Sequence, residues 1–266
     1  MTLLVDEARL PADDGAEQLL SDPSPAALMA DGVKVFGDAD ASVRALDGVD
    51  VRFERAQFTA IMGPSGSGKS TLLHCLAGLD GLTSGQVWIG DVELASLSER
   101  ALTRLRRDRL GVIFQAFNLI PSLTAEENIT LPMALAGRRP DPAWFDTVVD
   151  VVGLRDRLHH RPAQLSGGQQ QRVAAARAML SRPAIIFADE PTGNLDSIAG
   201  DELLGFLRRA VDDFGQTIVM VTHDPQAAAV TDRVVFIADG RVVGEVPAPS
   251  VSGVIDQMKW LKECGG

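Results

Sequence analysis

The chain has 266 residues, of which 45% are hydrophobic and 5% aromatic, so it is long enough to bury a sizeable core. Its formal net charge of −11 argues against the broad basic surface typical of nucleic-acid binders, and no nucleic acid is expected as a partner. Cys75 and Cys264 have no CxxC or Cys/His zinc spacing and indicate reduced thiols, which fit the cytosol. No apolar run approaches the roughly 18 to 20 residues that span a bilayer, and no signal peptide is expected.

The first part of the chain is acidic and is followed by alternating strands. Residues 1–28 carry scattered acids and a Pro/Ser stretch without a sustained apolar period, which predicts a flexible extension. The alternation in VKVF (33–36), VDVRFE (49–54) and QVWIGDVEL (86–94) predicts antiparallel strands.

Three later runs are apolar throughout: FTAIMG (58–63), AIIFADE (184–190) and TIVMVTHD (217–224). Continuous apolar strands are typical of parallel sheets that are buried on both faces. Each run ends in polar, chemically capable residues, and the carboxyl ends of parallel strands form the sites of α/β folds. We therefore expect a functional site where these three runs end.

Helical patterns lie between the strands. KSTLLHCLAGL (69–79) follows the first apolar run, and Ser96 and Glu99 have capping-box spacing before SERALTRLRRDRL (98–110). A further helix is predicted between Asp141, as its N-cap, and Gly153.

The distribution of these helices predicts the domain organisation. The stretch 116–180 is rich in helical pattern and interrupts the strand series, which indicates a helical lobe inserted into an α/β core. In the tail, 247–266, Val254, Met258 and Leu261 have helical spacing, which predicts a short helix that docks on its own domain or on a dimer mate.

GPSGSGKST (63–71) matches the pattern G-x-x-x-x-G-K-[ST] and stands between an apolar strand and a helix, as a phosphate-binding P-loop requires. Its glycines let successive backbone N–H groups point at phosphates, Lys69 neutralises the β/γ oxygens, and the Ser70 hydroxyl can bind Mg²⁺. A glycine-rich turn with a surface lysine is the alternative, but it would not need the strand and helix on either side.

Acidic and histidine side chains close the other two apolar runs. Asp189 and Glu190 point to opposite faces if the strand continues, so one is expected to bind Mg²⁺ and the other to polarise the attacking water. His223 at the end of the third run is a candidate γ-phosphate contact, although a lone histidine is more often structural.

LSGGQQQR (165–172) places a serine and two glycines before a helix start, whose bare N–H groups form a second anion site. With the P-loop, the acidic strand end and the later histidine in this order, residues 29–246 closely resemble the ATP-binding-cassette (ABC) ATPases. The resemblance implies an α/β P-loop NTPase (RecA-like) core with an N-terminal antiparallel β subdomain and an inserted α-helical lobe. It also implies a head-to-tail homodimer, in which the loop LSGGQ (165–169), called the signature loop, of one copy contacts the ATP on the P-loop of the other.

The resemblance implies roles for residues that match the family's motifs. Glu190 resembles the general base, His223 the γ-phosphate sensor, and Asp196 the acid that couples the two sites. The adenine platform is often tyrosine, but this chain has none, so Phe36 or an apolar residue such as Val43 is expected there. The implied catalytic residues are Glu190, His223, Gln115 and Lys69; the Mg²⁺ ligands are Ser70, Gln115 and Asp189; and the ATP-binding residues are Phe36, Gly63, Ser65, Gly66, Gly68, Lys69, Ser70, Thr71, Ser166, Gly167, Gly168, Gln169 and Asp196.

FQAFNLIPSLTAEENI (114–129) and DEPTGNLDS (189–197) resemble the branch of lipoprotein-releasing, macrolide-export and cell-division-type ATPases. This implies an ATP-hydrolysing subunit at the cytoplasmic face of the membrane, held there by a separate permease whose cytoplasmic helix fits the segment after Gln115. The alternative is a soluble cassette ATPase acting on DNA or ribosomes, whose relatives generally carry two cassettes, coiled-coil insertions or zinc modules.

Overall fold

The computed structural model describes residues 24–37 and 41–264, and these form two sheets and a set of helices. The strands are β1 (Ala27–Phe36), β2 (Val43–Phe53), β3 (Phe58–Met62), β4 (Ser84–Ile89), β5 (Val92–Glu93), β6 (Leu110–Ile113), β7 (Ile185–Asp189), β8 (Ile218–Val221), β9 (Arg233–Ala238) and β10 (Arg241–Pro247). The helices are α1 (Lys69–Leu76), α2 (Glu99–Arg109), α3 (Ala125–Leu135), α4 (Pro142–Val151), α5 (Gly167–Leu180), α6 (Ser197–Phe214), α7 (Pro225–Ala229) and α8 (Val251–Cys264).

The antiparallel sheet has the strand order β2-β1-β4-β5 and contains the three alternating segments predicted from sequence. Most of the predicted extension, residues 1–23, lies outside the described residues. Its last part differs from the prediction, because Ala26, Ala27 and Leu28 are buried and β1 already begins at Ala27. Ala26 and Ala27 belong to the core between this sheet and α1, so the domain begins before residue 29.

The second sheet has the order β10-β9-β3-β8-β7-β6, with all strands parallel except β10. The three apolar runs form its central strands β3, β8 and β7, as predicted. Alternate residues of β7 face different cores: Ile186 and Ala188 pack toward the helical lobe, whereas Ile185 and Phe187 pack toward α1 and the antiparallel sheet. Burial on both faces explains the uninterrupted apolar pattern. Strands β6, β9 and β10 were not predicted from the sequence.

The helix predictions were mostly right in position, but one cap was wrong. The Oγ of Ser98 accepts from the N–H of Ala101 and caps α2, while the Ser96 hydroxyl donates to the carbonyl of Glu93 and closes a short 3₁₀ turn. Asp141 caps α4 through the N–H of Ala143, as predicted.

Helices α3, α4 and α5 lie between β6 and β7, where the inserted lobe was predicted. In the tail, Val254 and Leu261 of α8 are buried in a small core with Phe236 of β9, so this helix docks on its own domain. No helix in the described part of the chain combines the length and the apolar character needed to cross a membrane.

Candidate nucleotide site

The P-loop connects the end of β3 to α1, and two of its glycines are required by close backbone approaches. A Cβ on Gly63 would lie 1.9 Å from the carbonyl oxygen of Ile237, and one on Gly68 would lie 2.3 Å from that of Ala45. Gly68 also has φ +102°, a left-handed conformation that favours glycine. The loop is therefore held tightly against β2 and β9.

The turn between β9 and β10 supports the P-loop from behind, a contact that the sequence analysis missed. The N–H of Gly240 donates to the carbonyl of Ser67 (3.0 Å). The carbonyl of Gly240 accepts from the N–H of Asp47 in β2 (2.9 Å). Hydrogen bonds from Arg44 and Arg241 hold the pKa of the Asp47 carboxyl below its usual value. This turn links the P-loop to the antiparallel sheet.

Lys69, the first residue of α1, donates from Nζ to the carbonyl of Pro64 at 2.7 Å, so it spans its own loop. Burial lowers the pKa of Lys69, because it disfavours the charged ammonium, while the charges of Glu190 and Asp189 act in the opposite direction. The two acids predicted from the strand end thus lie near the lysine of the P-loop.

The Ser70 hydroxyl donates to Oδ1 of Asp189 at 3.0 Å. The other carboxylate oxygen of Asp189, Oδ2, lies 3.4 Å from Nε2 of His74 on α1. A hydroxyl and a carboxylate oxygen at this spacing fit Mg²⁺, which prefers oxygen ligands and usually takes only one or two from protein when phosphates supply others.

Glu190 and His223 follow the neighbouring strands β7 and β8, and their side chains are in contact. The Nδ1 of His223 lies 2.8 Å from Oε2 of Glu190; the Glu190 side chain is 19% exposed and that of His223 is 73% exposed. Glu190 has φ +47°, and its N–H donates to the carbonyl of Val221. A left-handed backbone at a non-glycine residue is strained, and here it turns the chain as β7 ends.

Gln115 is paired with a residue that the sequence analysis did not select. Its Nε2 donates to Oδ1 of Asn194 (3.3 Å), and the Nδ2 of Asn194 donates back to the carbonyl of Gln115 (3.1 Å). Among the described side chains, Gln115 has no hydrogen bond to the other two predicted Mg²⁺ ligands, Ser70 and Asp189. Gln115 thus follows β6, the strand paired with the β7 strand of Asp189, but its side chain bonds to Asn194 instead.

The signature loop forms the capped start of α5. The Oγ of Ser166 accepts from the N–H of Gln169, and the Gln169 side chain accepts from the N–H of Ser166, which completes a capping box. A Cβ on Gly168 would lie 2.7 Å from the Cβ of Ala199 in α6, so packing within the chain already requires a glycine there. The main packing partners of α5 are α3, α4, α6 and β6, and α1 is not among them.

Two side chains of α5 that the sequence analysis missed hold the loops of the site. The buried Nε2 of Gln171 donates to the carbonyls of Phe114 and Pro191, the neighbours of Gln115 and Glu190. Arg177 donates to the carbonyls of Phe117 and Asn118, and burial lowers its pKa. Glutamine and arginine in a helix carry no local signal for such distant contacts.

The remaining predicted residues lie on the P-loop, on α1, at the start of α6 and in the antiparallel sheet. Ser65 and Gly66 are exposed at the tip of the P-loop, Thr71 is half-buried on α1, and Asp196 caps α6 by accepting from the N–H of Ala199. Phe36, at the end of β1, pairs across the sheet with Val43, and both side chains are exposed.

A P-loop beside a strand end that carries two acids, with a helical lobe inserted in the sheet, defines the class of P-loop NTPases. The family model described as ABC transporter matches residues 46–193. The chain belongs to this family and is an ATP-hydrolysing cassette.

Two named relatives illustrate the similarity. The chain is 43% identical over 237 residues to the macrolide export ATP-binding/permease protein MacB of Marinobacter nauticus, covering 88% of this chain and 37% of MacB. It is 44% identical over 211 residues to the bacitracin export ATP-binding protein BceA of Halalkalibacterium halodurans, covering 79% of this chain and 83% of BceA. The chain thus spans little more than a third of the length of MacB.

Solved structures give the same fold. The dimeric post-hydrolysis state of the ATP-binding cassette MJ0796, bound to ADP and Pi, has a TM-score of 0.76 and 38% identity, covering 84% of this chain and 99% of that chain. The match supports the cassette fold over most of the described domain.

Proposed function

We propose that two copies of this chain hydrolyse ATP at composite sites and transmit their closing and opening to a separate membrane permease. The observation that carries this proposal is the separation of two phosphate cradles within one chain. The P-loop region contacts the end of β7, which carries Asp189 and Glu190, whereas the signature loop begins α5, which packs mainly on α3, α4, α6 and β6. A head-to-tail second copy brings the missing cradle to each P-loop.

In each composite site, Lys69 neutralises the β/γ-phosphates, while Thr71 contacts the α-phosphate. Ser70, Gln115 and Asp189 hold Mg²⁺, which when bound offsets phosphate charge. Gln115 would bind the ion through Oε1, and its Nε2 can keep donating to Asn194 while it does so.

Glu190 accepts the proton of the attacking water, and its hydrogen-bonded partner His223 contacts the γ-phosphate. From the partner copy, the loop of Ser166 and Gly168 directs its free N–H groups at the same phosphate. Asp196 couples the two sites, and Phe36 stacks on adenine.

The permease partner is favoured over DNA or ribosomes because the named relatives are export proteins. We infer that the chain works at the cytoplasmic face of the membrane, with the segment after Gln115 as the groove for a permease helix. The MacB relative is an ATP-binding/permease protein, so an export-type or mechanotransmission partner fits this branch best.

Phosphate release by the purified wild-type chain, measured from dilute to concentrated solution, tests the composite site. We expect specific activity to rise with concentration as the dimer forms, and sedimentation in ATP to show the matching change in mass. Full turnover by a strictly monomeric sample would contradict the proposal. Affinity purification from membranes, with mass spectrometry of the bound subunits, tests the permease.

A further inference from the structure

Phe36 has a cation on one face of its ring. Lys34 and Phe36 are two residues apart on β1, so their side chains share one face of the sheet. The Nζ of Lys34 lies 4.8 Å from the centre of the Phe36 ring, within the range of a cation–π contact. The Phe36 side chain nevertheless remains 43% exposed, which leaves room for a second stacking partner.

The position of this cation is set by the segment that follows α1. The Nζ of Lys34 donates to Oδ1 of Asp80 and to the carbonyl of Gly81, both at 2.7 Å. The hydrogen bond from Lys34 is the main reason why the pKa of the Asp80 carboxyl lies below its usual value. The N–H of Val35 donates to Oγ1 of Thr83 in the same segment (2.9 Å), so the strand itself is also held.

From these contacts we propose that Lys34 is a positioning residue, which fixes the Phe36 ring so that its opposite face receives adenine. This inference rests on the proposed stacking of ATP on Phe36. A phenylalanine ring has no hydroxyl to orient it, so packing alone sets its plane. A cation on one face also draws π-electron density away from the other, which favours stacking there.

The same helix then serves both ends of the nucleotide. Lys69 begins α1 at the phosphates, and Asp80 follows the end of α1 at the platform. If a substitution of Lys34 acts through the Phe36 ring, it should weaken binding only of ligands that contain adenine. A change that acts through α1 should affect phosphate binding as well.

Lys34→Met keeps the length of the side chain and removes its charge. Isothermal titration in EDTA, which prevents Mg²⁺-dependent hydrolysis, measures affinity for ATP and for inorganic tripolyphosphate. We expect Lys34→Met to weaken ATP binding about two- to fivefold, with tripolyphosphate unchanged. Lys34→Arg should restore ATP affinity, and Lys34→Met should have no further effect in a Phe36→Ala background.

The Phe36→Ala variant separates the two levels of the proposal. It is expected to weaken ATP binding roughly five- to hundredfold, as loss of a stacking platform does. If it does so while Lys34→Met leaves ATP affinity unchanged or weakens both ligands equally, the role of Lys34 is overturned and Phe36 keeps its own. If Phe36→Ala leaves ATP affinity unchanged, the adenine platform and the inference fall together, while hydrolysis and dimer formation are tested separately.

Discussion

The P-loop and the signature loop are both glycine-rich helix starts, but the chain surrounds them differently. The P-loop is held on three sides, by β2, by β9 and by the turn at Gly240, and its Ser70 already contacts the acid of β7. The signature loop satisfies two of its own N–H groups through Ser166 and Gln169, with Ser166 exposed. One loop is held by contacts within its own chain, whereas the other exposes its serine, as the proposed composite site requires.

The largest expected effect tests the part of the composite site that surrounds the P-loop. Glu190→Gln removes the proton acceptor but keeps the size of the side chain, so hydrolysis should slow by about 10²- to 10⁴-fold. ATP binding should persist, and the ATP-bound dimer should accumulate. Phosphate release and size-exclusion chromatography measure both effects.

The matched control is Glu263→Gln, on the exposed outer side of α8. It removes the same charge away from the sheet edge and should turn over ATP like the wild type. Wild-type turnover by Glu190→Gln would place the general base elsewhere.

The second prediction tests whether the signature loop contributes to the composite site of a second copy. Ser166→Arg adds a bulky side chain at an exposed loop, so the isolated chain should bind ATP with unchanged affinity but fail to form the ATP-dependent dimer. Sedimentation with ATP in the Glu190→Gln background gives the readout. Ser252→Arg on the surface of α8 provides a control for the added charge. Dimers formed equally well by both arginine variants would remove the signature loop from the interface.

The difference between the loops also explains what could be predicted from sequence. The P-loop, the apolar strands and their polar ends are local patterns, and each was found where the structure has it. Strand β6 was missed because its four residues follow an arginine-rich helix and carry too short a period. The choice of Ser98 over Ser96 as cap depends on the 3₁₀ turn Leu94–Ser96, which includes Ser96 and which the spacing alone does not reveal.

Contacts between distant parts of the chain carried no local signal. Gln171 reaches carbonyls 57 and 20 residues away, and Asn194 pairs with a glutamine 79 residues away. The support that Gly240 gives to the P-loop depends on how β9 and β10 join the sheet. Such contacts become visible only when the topology is known, because amides and glycines are common in every kind of loop and helix.

The third prediction compares the glycines of the two loops. Gly168→Ala places its Cβ against that of Ala199, and overpacking of this kind typically costs about 1–3 kcal/mol, which lowers the Tm by roughly 2–10 °C. In an Ala199→Gly background the same change should cost nothing. Gly167→Ala is the neighbouring control, since its Cβ has ordinary contacts only. Thermal unfolding of the four variants measures the effect.

Gly68→Ala in the P-loop should also lower the Tm, but no second side-chain substitution should restore it. Its Cβ would meet the backbone carbonyl of Ala45, and φ is in the left-handed region. An Ala199→Gly change that failed to relieve Gly168→Ala would mean that the signature glycine is not set by packing within the chain.

The smallest expected effect concerns the two helices that follow the loops. Burial raises the pKa of the Cys75 thiol on α1 to about 11, whereas its ordinary value is 9.0. Between these values the unfolded chain loses this proton and the folded chain keeps it, so the free energy of unfolding falls as pH rises. By pH 10 this contribution is on the order of 1 kcal/mol.

Helix α5 contains no cysteine, so it gives no corresponding effect. The chain has no tyrosine, so lysines and thiols are the groups that titrate in this window. Urea unfolding at pH 8 and pH 10 should therefore show a smaller loss of stability in Cys75→Ala than in the wild type. Equal losses in both proteins would mean that the helix behind the P-loop opens enough to ionise its thiol, and that the P-loop half is less rigidly built than its contacts indicate.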